Sequence, residues 1–496
     1  MSNPLYVNFF VKLIIRGELV VTSTELITLS AVDAVAALHK GDVKPSELVE
    51  VAAARIEAVE PALNALPILA LDQAREAAQK HEAAGVKPSD HPADLAGLPI
   101  AIKDLIDVKG LHTTYGCPLY KDNIATKSDP LVTLLESRGA TVIGKSNSPE
   151  FGMLPVSDNR VFGATATPYA HNRTSGGSSG GAAAAVGAGE VWLAHGSDVG
   201  GSLRIPAAFC GVVGIRPSPG RVPRAPSKRG FSPLSVQGPM ARSVGDVALF
   251  LDAMAAHAPN DPLTQQEIPG QFQQAVREAR PPKRIAFATD LGLGGVDPEV
   301  EAIARAALQK FSCMGAAVEE TCPGFGRIDV LFQRLISFNY LTERAEFADA
   351  NRDKIEPVHG ILVDAARKMT IEQLAEAQRW RADLYARMAT FFEDFDALVT
   401  PTVGVVPFAK DLRGGADVDE WAGSNPPRWF HQCWGTVPLS NPILAIPAGF
   451  TKAGLPVSVQ IIAPQRREDM ALAYGKLLED ALGLPTHLPK DPVGNV

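Results

Sequence analysis

Metal-binding signatures are missing from this 496-residue chain: it holds no CxxC pair and no HExxH, so a zinc site or other metal has no support. Cysteine is scarce. Cys117, Cys210, Cys313, Cys322 and Cys433 are odd in number and widely scattered. That argues against a disulfide scaffold and fits a reducing compartment, hence the cytoplasm. Charge of one sign is lacking too: the formal net charge is −8, with acids and bases mixed along the chain. A basic groove for nucleic acid is therefore disfavoured. The apolar stretch Leu5 to Ile15 is broken by Asn8 and Lys12. It is too short to span a bilayer, and it lacks the basic n-region and small-residue cleavage site of a signal peptide. It reads as a buried or frayed N-terminal extension. No internal repeat and no long low-complexity linker breaks the rest of the chain.

What is present is an ordinary globular composition, 46% hydrophobic and 21% charged, with ample length for a large core. Strand-like and helix-like segments alternate. Val32 to Val59 reads as two helices parted by a Gly–Asp turn, with Pro45 and Ser46 opening the second. Leu71 to Ala84 is a third helix, and Val86 to Asp94 a surface loop. Leu98 to Ile102 is a short apolar run ending at Lys103, like a buried strand. Pro130 to Arg138 is helical and Thr141 to Gly144 strand-like. Pro168 to Ala185 begins as polar loop and becomes helix, and Glu190 to His195 is another strand. Ser243, with Asp246 three residues on, introduces a helix to Ala256. Lys283 to Ala288 and Ala397 to Pro401 are strands, Pro298 to Met314 and Ile371 to Phe395 helices. Pro442 to Pro447 and Val457 to Ile462 form a late strand pair before a closing helix, Met470 to Leu482. The alternation predicts one α/β layer architecture. Continuity is weakest near Pro259 to Gln274.

Three motifs compete for the chemistry. Gly139-Ala-Thr-Val-Ile-Gly144-Lys145-Ser146 fits GxxxxGKS. A phosphate-cradling loop needs a looped spacer and a helix opening at the lysine. Here the spacer is strand-like, and Pro149 disfavours helix at Ser148. The segment reads as a strand between two turns. Gly176-Gly177-Ser178-Ser179-Gly180 fits GxSxG, the elbow of an α/β-hydrolase-like esterase, with His431 or His487 as the late histidine. That elbow needs a hydrophobic strand directly before it, whereas Ala170 to Ser175 is polar.

The third motif is a pair of Gly/Ser loops, Gly176 to Gly181 and Gly196 to Pro206. One helix and one strand separate Ser178 from Ser202, so the second loop can return beside the first. Glycines let backbone N–H groups converge on one point, as an oxyanion site requires. A serine nucleophile also needs a base. No histidine sits in the first loop, and His195 lies on the strand, where packing is its usual role. Lys103 remains. A strand delivering lysine into a desolvated pocket lowers its affinity for a proton, and Ser–Lys pairs are a known variant of triad chemistry.

Together these segments resemble the amidase signature family. The matching stretches are GLPIAIKDLIDVKG around Lys103, GATVIGKSNSPEFG around Lys145, GGSSGGAAAAVGAG around Ser178 and GSDVGGSLRIPAAFCGVVGIRPSPGRVP around Ser202. PMARSVGDVALFLDAM and GLPVSVQIIAP extend the likeness over roughly Leu38 to Leu482. The resemblance implies one large α/β domain, with a mixed, mostly parallel twisted sheet covered by helices on both faces. Its bounds would be residues 31–490, after an extension at 1–30 and before a tail at 491–496; the catalytic core would fall near 95–255, and a helical, pocket-forming region at 259–435.

It implies a Ser–cis-Ser–Lys triad of Ser202, Ser178 and Lys103, with the Gly177–Ser178 bond cis. Backbone N–H groups of Val199, Gly200, Gly201 and Ser202 would hold the oxyanion. Asp198 and Arg204 would brace the loop, and Asn147 and Ser179 would support Lys103 and Ser178. There are departures: His195, Ser175 and Val199 stand where an aliphatic residue, a proline and a small polar residue are common. The implied reaction is hydrolysis of a carboxamide, anilide or carbamate, with no cofactor, a small-molecule substrate, no nucleic-acid or membrane partner, and a homodimer allowed. The rival reading is the amidase-type component of a glutamine-dependent amidotransferase. Trp421, Trp429 and Phe430 in the stretch Phe408 to Phe430 favour an apolar pocket and a free-standing enzyme.

Overall fold

The computed structural model describes residues 14–15, 18–19, 23–84, 91–224, 230–412 and 428–495. Most of the apolar stretch Leu5 to Ile15 lies outside them, as does Trp421.

Local chemistry sets the first helices. Ser30 accepts the N–H of Asp33 and caps the helix Ala31–Lys40, which stops at Gly41 with φ +75°. Pro45 occupies the first turn of the next helix, Pro45–Leu63, where its missing N–H costs nothing. The Glu47 side chain closes that end by accepting the Lys44 N–H at 2.7 Å.

One sheet of eleven strands organises the protein. In chain order they are β1 (Ile68–Leu69), β2 (Pro99–Lys103), β3 (Thr141–Ser146), β4 (Leu193–Asp198), β5 (Val213–Arg216) and β6 (Val236–Ala241). Then follow β7 (Arg284–Phe287), β8 (Ala317–Glu320), β9 (Ala397–Pro401), β10 (Ile443–Phe450) and β11 (Pro456–Ile462). Their spatial order is β8-β7-β9-β11-β10-β5-β6-β4-β2-β3-β1. The mixed α/β sheet is the one expected, and its parallel pairing is gathered at the flanks: β4-β2-β3 on one side and β8-β7-β9 on the other. The centre is antiparallel, including the hairpin β10–β11, whose short turn allows no crossover. Every residue of β2 and β3 is buried, so both faces of that flank are covered.

That flank positions the site. β2 and β4 run parallel with Ile100 opposite Leu193, so Lys103 and the Gly196–Asp198 end of β4 emerge on the same edge. Loops beyond the carboxyl ends of parallel strands are the usual place for a binding crevice. The helix Gly180–Ala188 is wholly buried, its Gly/Ala sequence allowing close packing between the loop that starts it and the strand that follows.

Some elements differ from the sequence reading. Ala170–Thr174, read as polar loop, pairs with Ala166–Thr167 in a separate two-stranded sheet. It is a strand, but not one leading from the central sheet into a nucleophile elbow. The weak stretch after Pro259 ends in a short helix, Gln271–Arg277. The helices Ile328–Ala350 and Pro357–Lys368 fall in a segment where the sequence reading names no element. Lys145 opens no helix. It lies in β3 with Nζ 2.7 Å from Asp104 Oδ1 and 2.8 Å from the carbonyl of His112, which excludes a phosphate loop.

Candidate active site

Lys103 ends β2 with no exposed surface. Its Nζ contacts three hydroxyls: Ser178 Oγ at 2.7 Å, Ser179 Oγ at 2.8 Å and Ser197 Oγ at 3.2 Å. Among the described residues no carboxylate pairs with it directly. Burial lowers its pKa from 10.5 to about 7, against a smaller opposing effect of Asp198. An ammonium without a direct counter-ion is disfavoured in such a place, so a neutral amine is accessible near neutral pH.

Ser178 is held by a loop that has no room for side chains. A Cβ on Gly177 would stand 2.6 Å from the backbone of Val156. The Gly177–Ser178 peptide is cis, as the resemblance implied. The Ser179 N–H donates to the carbonyl of Ser202 at 3.2 Å, tying the two loops together. The Ser179 hydroxyl contacts Lys103 Nζ at 2.8 Å. Asn147 does not: its amide nitrogen donates to the carbonyl of Gly163 and to Thr165 Oγ1, each at 3.0 Å, and its Oδ1 accepts from Asn159. Its backbone carbonyl instead accepts the Gly181 N–H, so it steadies the loop.

The second loop is braced by Asp198. This buried carboxylate meets Arg204 Nε at 3.0 Å and Arg216 Nη1 at 3.3 Å. Burial raises its pKa, but the two guanidinium groups overcome that and bring it down to about 2. Arg204 also donates to Thr436 Oγ1 and Gln460 Oε1, joining the loop to β11. One expected oxyanion donor is corrected: the Gly201 N–H points at Asp198 Oδ1, at 2.9 Å. That hydrogen bond shapes the turn and leaves Val199, Gly200 and Ser202 as the candidate donors. Gly201 has φ +116°, and a Cβ there would stand 2.5 Å from that of Cys433, so no other residue fits. Asp198→Asn should remove the carboxylate that faces two buried arginines. The expected loss is about 3–5 kcal/mol of stability, measured as a lowered midpoint in denaturant unfolding.

His195 is packed and also useful. Its Nε2 lies 2.7 Å from Gln237 Oε1, an acceptor, so Nε2 carries the proton. Nδ1 then accepts the backbone N–H of Lys103 at 3.3 Å. Burial pushes its pKa down to about 3, so no imidazolium competes with Lys103 for the site. His195 and Ser197 alternate on β4 and share one face, a signal present in the sequence and not read there.

Two cavities meet at Ser202. One is apolar, lined by Met153, Leu154, Ile205, Ile336, Phe430 and Trp434 among others. The other is larger and polar and includes Ser178, His195, Gln237, Tyr340, Glu343 and Arg344. Ser202 and Val199 line both cavities, whereas Ser178 lines only the polar one. Phe430 is therefore in the pocket. Trp429 stacks on Phe209 behind it, with ring centroids 5.7 Å apart, and lines neither cavity. Neither His431 nor His487 lines them either. The helix Ile328–Ala350 supplies Gln333 and Ile336 to the first cavity and Tyr340, Glu343 and Arg344 to the second, at helical spacing.

Known proteins share this arrangement. The family model described as Amidase matches residues 47–472. An acylamidase of Rhodococcus erythropolis is 34% identical over 465 residues, covering 91% of this chain and 95% of its own. A glutamyl-tRNA(Gln) amidotransferase component of Synechococcus sp. (strain RCC307) is 30% identical, with 92% of this chain and 98% of its own aligned. The crystal structure of a bacterial aryl acylamidase of the amidase signature enzymes superposes with TM-score 0.83 at 27% identity, covering 93% of this chain and 98% of its own. A match spanning most of the chain, the double-serine loop and the buried lysine lead to one conclusion: this chain belongs to the amidase signature family, hydrolases of carbon–nitrogen acyl bonds other than peptide bonds.

Proposed function

We propose that the protein is a free-standing amidase that works through an acyl-enzyme on Ser202, with Ser178 as proton bridge and Lys103 as base. The observation that carries this is the full burial of Lys103 with its Nζ 2.7 Å from Ser178 Oγ, a setting that favours the neutral amine. In the forward step Lys103 takes the Ser178 proton while Ser178 takes that of Ser202. The Ser202 oxygen bonds to the acyl carbon, and the charge on the carbonyl oxygen is met by N–H groups of Val199, Gly200 and Ser202. The C–N bond breaks as Ser178 returns a proton to the nitrogen, and Lys103 returns one to Ser178. Water then attacks the ester by the same route, releasing acid and free Ser202.

Because Ser178 protonates the nitrogen, the amine half belongs on its side, in the polar cavity. The acyl half takes the apolar one, which suits an alkyl or aryl acyl group. That apolar lining favours a free amidase over the amidotransferase component, the reading to which the Synechococcus relative points. We place the enzyme in the cytoplasm, in keeping with five free thiols; no helix among the described residues is long and apolar enough to cross a membrane. A panel of matched carboxamides, anilides, carbamates and esters tests the assignment. Failure of all nitrogen acyl substrates, with esters turned over, would refute it.

The pH dependence follows from Lys103. Its folded-state pKa lies below its usual value, and only the neutral amine can accept a proton. Activity should therefore be low in acid, rise as pH passes through about 7, and level off above. The log of kcat/KM against pH should show one acid limb of slope one.

A further inference from the structure

The Gln237 side chain lines the polar cavity together with Ser178, His195, Ser197 and Ser202, and it takes no part in the steps above. It is only 7% exposed. Among the described residues its side chain makes one hydrogen bond, the 2.7 Å contact of Oε1 with His195 Nε2. The sheet puts it there. On β6 Gln237 stands opposite Ser197 of the antiparallel strand β4, and Pro239 stands opposite His195. Alternation along the strands places Gln237, Ser197 and His195 on one face. On that face Ser197 Oγ lies 3.2 Å from Lys103 Nζ. Gln237 brings the one carboxamide side chain to this cavity among the described residues.

The far side of the imidazole fixes which way that amide faces. The backbone N–H of Lys103 donates to His195 Nδ1 at 3.3 Å, so Nδ1 carries no proton. Burial pushes the His195 pKa down to about 3, which keeps the ring neutral with its proton on Nε2. That N–H needs an acceptor, and the Gln237 oxygen is the atom that meets it. Turning the amide over would set an NH2 group against Nε2–H, donor against donor. The Gln237 NH2 group is therefore left at the other end of the amide, with two N–H donors and no protein partner among the described residues. A donor on a side chain more than nine-tenths buried, at the wall of a cavity, is a cost that a ligand acceptor removes.

We propose that Gln237 reads the amine half of the substrate, its Nε2 donating a hydrogen bond to an oxygen acceptor carried on that half, with His195 as the positioning residue that aims the amide. The inference rests on the amidase reading, which places the amine half in this cavity. Substrates whose amine portion bears an ether or carbonyl oxygen should be preferred over apolar ones of the same shape.

The test compares the N-(2-methoxyethyl) and N-butyl amides of the acid that the carboxamide panel favours. They share the acyl group and the length of the amine half, and the ether oxygen accepts hydrogen bonds without donating any. The wild-type enzyme should favour the ether amide in kcat/KM. Gln237→Leu should lower the ether-to-butyl ratio by about fivefold to tenfold. Gln237→Glu keeps the volume and an acceptor for His195 but removes the donor, so the ratio should fall there as well; its added charge bears on both substrates and largely cancels in the ratio. His195→Leu leaves the amide free to turn and should give an intermediate ratio, whereas a merely structural loss would lower both amides together. A wild-type enzyme with no preference for the ether, or Gln237 variants that keep that preference, would overturn the assignment. Turnover of neither amide while others are hydrolysed would overturn it too, because the cavity would then not take such an amine half. A wild-type ratio in His195→Leu would remove His195 as the positioning residue. Hydrolysis of no amide at all would sink the amidase reading and this inference with it.

Discussion

Replacing Ser202 by alanine should lower amide turnover by about 10⁴-fold or more, to the level left by binding and backbone amides alone. The fold should survive. Ser202 makes no side-chain hydrogen bond among those described, and its loop is held from beneath by Asp198, Arg204 and Arg216. The Ser179 tie runs to the carbonyl of Ser202, which alanine keeps. A fluorophosphonate probe should add its mass to wild-type Ser202 and nowhere in the variant. Intact-mass measurement with peptide mapping reads both. An adduct on Ser178, or near-normal turnover in the variant, would show that the first loop carries the nucleophile and would favour the GxSxG reading.

Lys103→Ala should be nearly as damaging, about 10³–10⁴-fold or more in kcat/KM, because no other base among the described residues stands free within reach of Ser178. Asp198 is engaged by two arginines, and His195 has its proton committed to Gln237 and its other nitrogen to the Lys103 backbone. Stability should change little. Lys103 contributes three hydrogen bonds to hydroxyls, but the ammonium form carries a desolvation cost that the variant removes. Ser179 Oγ has a second partner in the carbonyl of Ser197, at 3.3 Å. Lys103→Met keeps the volume and separates lost chemistry from a cavity. Circular dichroism and thermal melting should match wild type while kcat/KM collapses, and the acid limb near pH 7 should vanish from whatever activity remains. Near-normal turnover in either variant would refute Lys103 as the base.

Much of this site is legible in the chain because its parts are local. A short apolar run ending in lysine marks β2 and Lys103; two glycine-rich loops, their serines 24 residues apart, mark Ser178 and Ser202. Repeated glycines signal close backbone approach whatever the fold around them, and Gly177 against Val156 is such an approach. Local pattern fails where a residue's partner is set by the folded chain. The Gly201 N–H lies in the right loop for an oxyanion donor, yet a carboxylate three residues earlier captures it. Asn147, expected to support Lys103, does not contact it, for its amide turns toward Gly163 and Thr165. Trp429 carries the aromatic character of a pocket wall and instead supports that wall from behind.

The sequence alone pointed to the chemistry proposed: two serines, one lysine, and a loop of small residues able to bring them close. It could do so because those identities are confined to short segments with strong steric requirements. Only the tertiary structure decided the cavities beside those residues. The apolar and polar cavities are made by the helix Ile328–Ala350, the turn at Glu150–Gly152 and the Phe430–Trp434 segment, over 280 residues apart in the chain from first to last. A pocket is a space between surfaces, set by how the sheet flank, loops and helices pack, and no local pattern encodes it. The charge state of Lys103 belongs to the same class: a lysine is an ordinary cation until the surrounding protein takes away its water.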